Sequence, residues 1–400
     1  MQLNGLKRID KVKRFIPRNI YIYKLYARIM NKKGKVLLGG KYKMPGRATD
    51  NSITIKDIAA RCGVSIATVS NVLNGRTNKV SAEVYDKVMA VVRETGYKPN
   101  YLAKNLRATS TKTLGVIVED LIIFSTAPIV EGLMKKAEEL GYTVVIENMR
   151  LFGRWSDGWM NDKAMLQASL EPAINKMEAI NVDGIVYIAG YEHVVDIDRR
   201  PDNIPFVIVY ANSSDDSIPS FKINDEEGGY ISYKYLYSMG HRKIGIIAGE
   251  PSSPHTVNRL RGIQRAMFEV GELFNPSMVI YQTWNKEGGY NGMKQLEGAD
   301  ITAVLCLADL IASGVYQYMQ ERNLKPGKDL SIIGYDNHEI SWLLYPTLTT
   351  VPLALVELGD AATTWIINKC ENKDKVDENK PIHFSIAGEL IERESVRRIE

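Results

Sequence analysis

Residues 54–74 have the sequence TIKDIAARCGVSIATVSNVLN, two short amphipathic stretches separated by a glycine. Thr54, followed three residues later by Asp57, is typical of a helix start, where side chains satisfy free backbone amides. Gly63 suits the left-handed residue that ends the first helix, and Ser65 suits the cap of the second. The stretch therefore predicts a helix-turn-helix, an arrangement that places its second helix in the DNA major groove.

The second predicted helix has one inward and one outward face. Val69, Val72 and Leu73 recur at helical spacing, which predicts that they pack inward. The outward face carries Ile66, Ala67, Ser70 and Asn71. Any two capped helices around a glycine match this pattern, so the motif alone leaves DNA binding open. An amphipathic segment at 81–96 supplies a third helix, and the polar linker ATSTKT follows at 108–113.

The charge distribution places a polyanionic partner at the front of the chain. Residues 1–51 carry 14 Lys and Arg against 2 acidic groups, and residues 52–113 carry 10 against 4. Because the whole chain is only +4, residues 114–400 carry a net charge of −14. A basic front on an acidic body favours nucleic-acid binding with an affinity that falls as salt rises.

Other features exclude several classes of protein. Cys62, Cys306 and Cys370 are far apart and odd in number, which argues against a disulfide framework. No apolar run approaches the ~18 residues of a membrane helix, and charged residues interrupt the apolar N-terminal stretch, unlike a signal peptide. No phosphate loop or nucleophile motif is present, and the five histidines are scattered. We therefore expect a cytoplasmic, nucleoid-associated protein without membrane contact, catalytic residues, cofactor or metal.

The first 51 residues allow three interpretations. Residues 20–23 (IYIY) suit a strand, whereas the whole basic piece suits a disordered arm on DNA. A third hypothesis places the natural start at Met44, because Gly39, Gly40 and Lys41 are what a purine-rich ribosome-binding site encodes in frame.

From residue 114 onward, short apolar strands alternate with amphipathic helices. This alternation predicts two doubly wound parallel sheets with a ligand cleft at the carboxyl ends of their strands. The predicted strands are 114–118, 143–147, 184–188, 244–248, 278–281, 303–306 and 331–334.

The order of motifs resembles the LacI/GalR family of bacterial transcription regulators. The supporting motifs, after the helix-turn-helix, are VDGIV at 182–186, GHRKIG at 240–245, RLRG at 259–262, LSIIGYDN at 330–337 and PTLTTV at 346–351. The resemblance implies an all-α helix-turn-helix head at 52–99, a hinge helix and linker at 100–113, and a periplasmic-binding-protein-like two-lobed core at 114–400. It also implies lobe crossovers near 211–214, 345–351 and 386.

The resemblance implies a set of DNA contacts. Bases would be contacted by Ile66, Ala67 and Asn71, and phosphates by Thr54, Thr68, Ser70 and Asn74. Leu106, with Ala103 and Lys104, would enter the minor groove from the hinge. The family often has Arg where this chain has Asn71, and Asn prefers adenine where Arg prefers guanine. We therefore expect a pseudo-palindromic double-stranded operator with less dependence on guanine at that position.

The resemblance also implies an effector site. Arg259 would grip ligand hydroxyls or carboxylates, Asp309 would accept from ligand donors, and Trp284 would pack on the ligand. The walls of the site would also include Phe124, Ser125, Thr126 and Tyr210. Each position has a plainer interpretation: a core Trp, a helix-capping Asp or an Arg in a surface ion pair. Together the three favour a sugar or related polyol.

Two segments depart from the family pattern. Residues 120–128 lack its usual Asn-Pro-Phe-Phe, and residues 149–160 are longer and more aromatic than usual, which suits a lid or a dimer contact. We expect a homodimer, with a tetramer left open, that represses transcription under effector control. The alternative is a sugar-binding receptor without DNA function, which would need an export signal and no helix-turn-helix.

Overall fold

The computed structural model describes residues 53–73, 75–97, 110–160, 162–201, 203–371 and 383–400, which form two compact units divided near residue 100. The described part of the first unit contains three helices and one short 3-10 turn. Its helices are α1 (Ile55–Cys62), α2 (Ile66–Leu73) and α3 (Ala82–Thr95). Their shared core buries Ile58, Val69, Val72 and Val88. The inward face predicted for Val69 and Val72 is confirmed, while Leu73 is only half-buried.

The second unit contains two lobes, each built on a parallel sheet. The strands of lobe 1 are β1 (Thr113–Val118), β2 (Thr143–Asn148), β3 (Gly184–Ile188), β5 (Phe206–Val209), β7 (Ser220–Ile223) and β13 (His383–Ile386). They pair in the order β13-β7-β5-β3-β1-β2. A separate two-stranded ribbon joins β4 (Val194–Val195) to β6 (Asn212–Ser213).

Lobe 2 has a five-stranded parallel sheet. Its strands are β8 (Ile244–Ala248), β9 (Val279–Tyr281), β10 (Ala303–Cys306), β11 (Ser331–Asp336) and β12 (Thr349–Pro352). They pair in the order β12-β11-β10-β8-β9. The prediction of two parallel sheets is therefore confirmed, and the carboxyl ends of their strands carry the candidate site.

Helices cover both faces of each sheet. Those of lobe 1 are α4 (Thr126–Glu139), α5 (Leu151–Trp155), α6 (Lys163–Ala179) and α12 (Leu355–Cys370). Those of lobe 2 are α7 (Asp225–Ser238), α8 (Pro254–Glu269), α9 (Lys286–Gln295), α10 (Asp309–Glu321) and α11 (Ile340–Leu343). Successive strand residues face opposite sides, so Val116 packs with α4 and α12 while Ile117 packs with α6.

The chain crosses between the lobes three times. It leaves lobe 1 between β7 and α7, returns between β12 and α12, and crosses again after β13 to pair Ile391 with Thr350. The crossover predicted near 211–214 is wrong, because β6 pairs with β4 and the next strand, β7, is still in the lobe 1 sheet. Among the described helices, none is both long enough and apolar enough to cross a membrane.

The aromatic segment 149–160 belongs to the core of lobe 1. It forms α5 and a 3-10 turn, Ser156–Trp159. Trp159 is buried, and its ring contacts His193 edge-on at 5.6 Å. The Gly153 amide donates to Asp120 at 2.8 Å, just beyond β1. These contacts tie the segment to the carboxyl edge of the lobe 1 sheet rather than leaving it as a free lid.

Candidate DNA interface and effector site

Helix α1 begins and ends, and helix α2 begins, at the caps that the sequence predicts. The Asp57 amide donates to the Thr54 hydroxyl at 3.4 Å, and the Thr54 amide donates to the Asp57 carboxylate at 2.8 Å. Gly63 has φ 66°, a left-handed conformation that costs glycine little. The Ser65 hydroxyl accepts from the Thr68 amide at 3.0 Å and thereby caps the start of α2. These short-range bonds fix where the two helices begin and where the first one ends.

The outward face of α2 carries the predicted base-contacting residues. Ile66 is 45% exposed, Ala67 is exposed and Asn71 is half-buried. Side chains proposed for phosphates are engaged locally: the Thr54 hydroxyl donates to Asp57 at 2.7 Å, and the Thr68 hydroxyl lies 2.9 Å from that of Ser65. Ser70 is half-buried. The other predicted DNA-contacting residues, Asn74, Ala103, Lys104 and Leu106, lie outside the described residues.

Arg259 lies in lobe 2, in the same charge cluster as His255, which contacts Glu192 and Tyr210 of lobe 1. Its side chain is buried, and its Nε donates to Asp225 at 2.7 Å. Its Nη1 donates to the Leu307 carbonyl and lies 3.6 Å from Asp336. The guanidinium also stacks 3.6 Å from the Tyr335 ring centroid. This environment excludes the plainer interpretation of Arg259 as a surface ion pair.

Asp309 lies close by but is used within the protein. It is fully buried, one oxygen accepts from the Thr350 hydroxyl and the other from the His338 amide, both at 2.7 Å. Burial raises the pKa of Asp309 well above its ordinary value. These contacts hold the loop after β11 against α10, so the side chain positions that loop.

Two predicted aromatic residues lie beside Arg259. Trp284 is half-buried, with its ring 5.7 Å from the Arg259 guanidinium. It packs so closely on Gly249 that a Cβ there would lie 1.9 Å from the ring. Tyr210 is buried, adopts φ 66° and has its hydroxyl 3.5 Å from His255 Nε2. A left-handed non-glycine residue is uncommon and often marks a functional site.

The other predicted wall residues follow β1. Phe124 is 46% exposed, and its ring lies 6.2 Å from that of His338 in lobe 2. Ser125 is buried and donates to the Gly190 carbonyl at 2.6 Å. Thr126 is buried and its hydroxyl has no hydrogen-bond partner among the described residues. Only Phe124 of these three presents an exposed side chain.

The structure adds four polar residues that the sequence analysis did not select. We call Glu192, Tyr210, Asp225, His255, Arg259 and Asp336 the lobe junction. His255 Nδ1 lies 2.6 Å from Asp225 and 3.7 Å from Glu192. Glu192, Asp225 and Asp336 lie at or just beyond the carboxyl ends of parallel strands. The general rule for ligand sites in α/β sheets could therefore have found Glu192 and Asp336, which follow predicted strands, but not Asp225, because β7 is not among the predicted strands.

The lobe junction holds charges at unusual pKa values. Burial alone would raise the pKa of Asp225, but Arg259 and His255 lower it to about 2. Burial raises the pKa of Asp336 to about 6, against the opposing effect of Arg259. Burial also raises the pKa of Glu192. Such a group of perturbed carboxylates around a buried guanidinium is typical of a ligand site.

The fold and the two sites define a DNA-binding transcription regulator controlled by a small-molecule effector. Residues 54–100 match the family model for bacterial regulatory proteins of the lacI family. Residues 233–396 match the family model for a periplasmic binding protein-like domain. The chain belongs to the lacI family of bacterial regulatory proteins.

Its similarity to known members extends over most of the chain. It is 32% identical to the ribose operon repressor of Haemophilus influenzae, covering 80% of this chain and 93% of that protein. It is 30% identical to catabolite control protein A of Priestia megaterium, covering 82% and 95%. The solved lac repressor dimer bound to operator and an anti-inducer matches with a TM-score of 0.67 at 24% identity, covering 86% and 99%. These relatives are regulators rather than enzymes.

Proposed function

We propose that this chain is a cytoplasmic, non-enzymatic repressor that binds a pseudo-palindromic operator as a homodimer and responds to a sugar or related polyol. The observation that carries the proposal is the pairing of two features in one chain. One is a capped helix with Ile66, Ala67 and Asn71 on its open face. The other is a buried guanidinium among carboxylates, beside the contact that His255 of lobe 2 makes with Glu192 of lobe 1.

DNA recognition in this proposal depends on α2. Val69 and Val72 anchor the helix, which leaves Ile66, Ala67 and Asn71 able to meet base edges. Asn hydrogen-bonds adenine with two bonds, whereas Arg prefers guanine. Thr54, Thr68, Ser70 and Asn74 are proposed phosphate contacts, which set the register of the head on DNA. The hinge contacts of Ala103, Lys104 and Leu106 belong to the same proposal.

Effector recognition in this proposal depends on the lobe junction. Arg259 is held rigidly by Asp225 and the Leu307 carbonyl, which prepares the guanidinium for a ligand. Asp336 and Glu192 supply acceptors for ligand hydroxyls, and Trp284, Phe124 and Tyr210 supply apolar ring faces. Because Asp309 uses both of its oxygens within the protein, we assign it to positioning the loop that carries Asp336.

The proposed dimer contact lies on lobe 2. Trp342, Leu343 and Tyr345 are 60%, 75% and 90% exposed, and they follow one another within four residues. Exposed apolar side chains grouped so closely in the chain are costly in water and mark a protein contact. A second copy of the chain suits it because a two-fold operator requires two heads. Residues 149–160 are left out of this contact.

The first experiment tests DNA recognition. Sites selected from a random DNA library by the parent protein are compared with those selected by Asn71→Arg at one salt concentration. We expect a shift toward guanine at one position of each half-site, worth about 1–3 kcal/mol. Asn78→Arg, which adds the same charge at an exposed head position outside α2, is the control and leaves the preferred sequence unchanged. An unchanged preference in Asn71→Arg contradicts the assignment.

The second experiment tests effector control. Operator binding is measured in a gel-shift assay with a panel of sugars and polyols, for the parent, Arg259→Lys and Arg261→Lys. We expect one sugar class to alter the operator affinity of the parent and of Arg261→Lys, whose side chain is exposed. Arg259→Lys loses this response because an ammonium lacks the planar fork of the guanidinium. A chain that binds no duplex at low salt contradicts the whole proposal.

The third experiment tests the dimer contact. Tyr345→Glu places a charge in the apolar surface and is expected to convert the dimer to a monomer in sedimentation analysis. Phe268→Glu changes an equally bare aromatic residue, 85% exposed, elsewhere on lobe 2 and leaves the dimer intact. If only Phe268→Glu dissociates the dimer, the dimer contact lies on α8 and the proposed contact around Tyr345 is wrong.

A further inference from the structure

Three metal-ligating side chains meet at the lobe junction. Glu192 follows β3 in lobe 1, Asp225 begins α7, and His255 lies in the first turn of α8 in lobe 2. One ligand atom from each lies within 4.8 Å of the other two. The cluster therefore combines two carboxylates and an imidazole from both lobes. Sequence spacing does not indicate it, because its members are 30 or more residues apart.

Glu192 provides a second, independent observation that points to a ligand. Its side chain is only 7% exposed, and Oε2 has no hydrogen-bond partner among the described residues. A buried polar oxygen without a partner is destabilising, and native structures avoid it. This oxygen faces His255 Nδ1 at 3.7 Å, which lies beyond hydrogen-bonding distance. A cation placed among the three side chains would supply the missing partner.

The donor set and its distances suit a zinc-type ion. Zinc bonds to nitrogen and carboxylate oxygen measure about 2.0–2.2 Å, so neighbouring ligand atoms lie about 3–3.5 Å apart. The separations of 2.6 Å from His255 Nδ1 to Asp225 Oδ2 and 3.7 Å to Glu192 Oε2 lie on either side of that range. Small side-chain movements would therefore equalise them. Three protein ligands and one open position form a known zinc arrangement.

The surroundings hold two of these ligands in place. The second ring nitrogen of His255 lies 3.5 Å from the Tyr210 hydroxyl, and the second oxygen of Asp225 accepts from Arg259 at 2.7 Å. Contacts of this kind orient metal ligands and are needed for tight binding. His255 keeps 14% exposure, so an ion can reach the cluster from solvent.

We propose that Glu192, Asp225 and His255 bind a divalent transition-metal ion, with zinc as the best fit. Binding places the ion on His255 Nδ1, and the proton between this nitrogen and Asp225 moves to Nε2, which faces the Tyr210 hydroxyl, so the neutral ring keeps its one proton. Because Glu192 belongs to lobe 1 and His255 to lobe 2, the bound ion links the two lobes directly. Its open position accepts an effector hydroxyl, a point that rests on the proposed function.

The test measures zinc binding by the full chain after chelator treatment. Zinc is titrated against a chromophoric chelator for the parent, Glu192→Gln, His255→Gln and Tyr210→Phe. We expect losses of more than about 100-fold in affinity for the first two variants and about 10-fold for the third. His383→Gln removes an exposed histidine of β13 and is the control, with unchanged affinity. Parental affinity in both Glu192→Gln and His255→Gln overturns the proposal.

A spectroscopic measurement on the unmodified chain removes any dependence on variant folding. Cobalt(II) in place of zinc is expected to give visible ligand-field absorption without a thiolate charge-transfer band, because the cluster contains no cysteine. Absence of the visible bands, or presence of the thiolate band alone, overturns the proposal. Operator binding is measured in parallel. If the chain binds operator in a sugar-responsive way but does not bind zinc, only the proposed metal site is contradicted. If it binds zinc but no DNA, only the proposed function is contradicted.

Discussion

The helix-turn-helix head and the lobe junction are assembled in opposite ways. In the head, the caps join residues three apart, such as Thr54 with Asp57. At the lobe junction, Arg259 bonds the Leu307 carbonyl 48 residues away and Asp225 34 residues away. Local rules of helix capping therefore account for the head, whereas the junction exists only once both sheets have formed.

The two regions also use their functional side chains differently. The head leaves Ile66 exposed and relies on a separate buried set for its stability. The lobe junction buries Arg259 with its carboxylate partners, so residues proposed for ligand binding also contribute to stability. We therefore expect substitutions on the outer face of the head to change DNA binding but not stability. Substitutions at the lobe junction should change both ligand binding and stability.

The largest expected effect is at the lobe junction. Arg259→Met leaves Asp225 buried without its guanidinium partner, and we expect the free energy of unfolding of the lobes to fall by about 3–5 kcal/mol. Urea denaturation followed by tryptophan fluorescence measures it. Arg261→Met, an exposed neighbour on α8, should stay within about 0.5 kcal/mol of the parent. Equal losses in the two variants would show that burial of Arg259 is not what matters.

Two isoleucines of the head give the next effect. Ile58 is 0% exposed and Ile66 is 45% exposed. Ile58→Ala leaves a cavity and should destabilise the head by about 3 kcal/mol, whereas Ile66→Ala should cost less than about 0.5 kcal/mol. Hydrogen exchange of head amides in the full chain measures both. A stability loss in Ile66→Ala would contradict the separation of function from stability.

Acid should weaken the lobe junction by a smaller amount. The pKa of Asp225 is about 2 in the folded chain and 3.8 ordinarily, so its stabilising contribution is present above pH 4 and is lost as the pH falls toward 2. Denaturation at pH 4 and pH 2 should show a loss about 2 kcal/mol larger in the parent than in Asp225→Asn. Asp336, whose pKa burial raises to about 6, is present in both proteins, so its own contribution largely cancels in this comparison. Equal losses of stability in the parent and in Asp225→Asn would show that Arg259 does not stabilise the ionised Asp225 carboxylate.

The smallest effect concerns the turn of the head. Gly63 has φ 66° and open space around an added Cβ, so Gly63→Ala carries only backbone strain, about 1 kcal/mol. Gly158→Ala is the comparison, because that glycine is equally open but has no left-handed φ, and the change should be neutral or slightly stabilising. Thermal unfolding of each unit measures both. A neutral Gly63→Ala would show that the turn tolerates another geometry.

The strands show where sequence patterns suffice. Gly184–Ile188, Ile244–Ala248 and Ala303–Cys306 form as predicted, because each is a buried apolar run beside an amphipathic helix. The sequence patterns do not predict β5, β7, β12 or β13. Length alone is not the reason, because Ala303–Cys306 also has four residues. No described helix lies between β3 and β5, and β7, β12 and β13 mix polar with apolar residues, so the alternation of apolar runs with helices does not mark these strands.

The candidate site shows the limit more clearly. Arg259 was selected through its family motif and is buried at the lobe junction. Glu192 and His255 are not among the predicted site residues. They are 63 positions apart in the chain, and nothing near either residue in the sequence indicates that their side chains lie close together. Asp309 was predicted to face a ligand, and the structure shows both of its oxygens bonded to Thr350 and His338.

The amino-acid order alone was enough to specify the head, its caps, the alternation of strands and helices, and the charge contrast between front and body, since these depend on neighbours along the chain. Only the tertiary structure decides which lobe a segment belongs to and which carboxylates surround Arg259. The physical reason is that a parallel sheet brings the ends of distant strands to one edge. The chemistry of that edge is therefore a property of the assembled lobes, and no single stretch of sequence contains it.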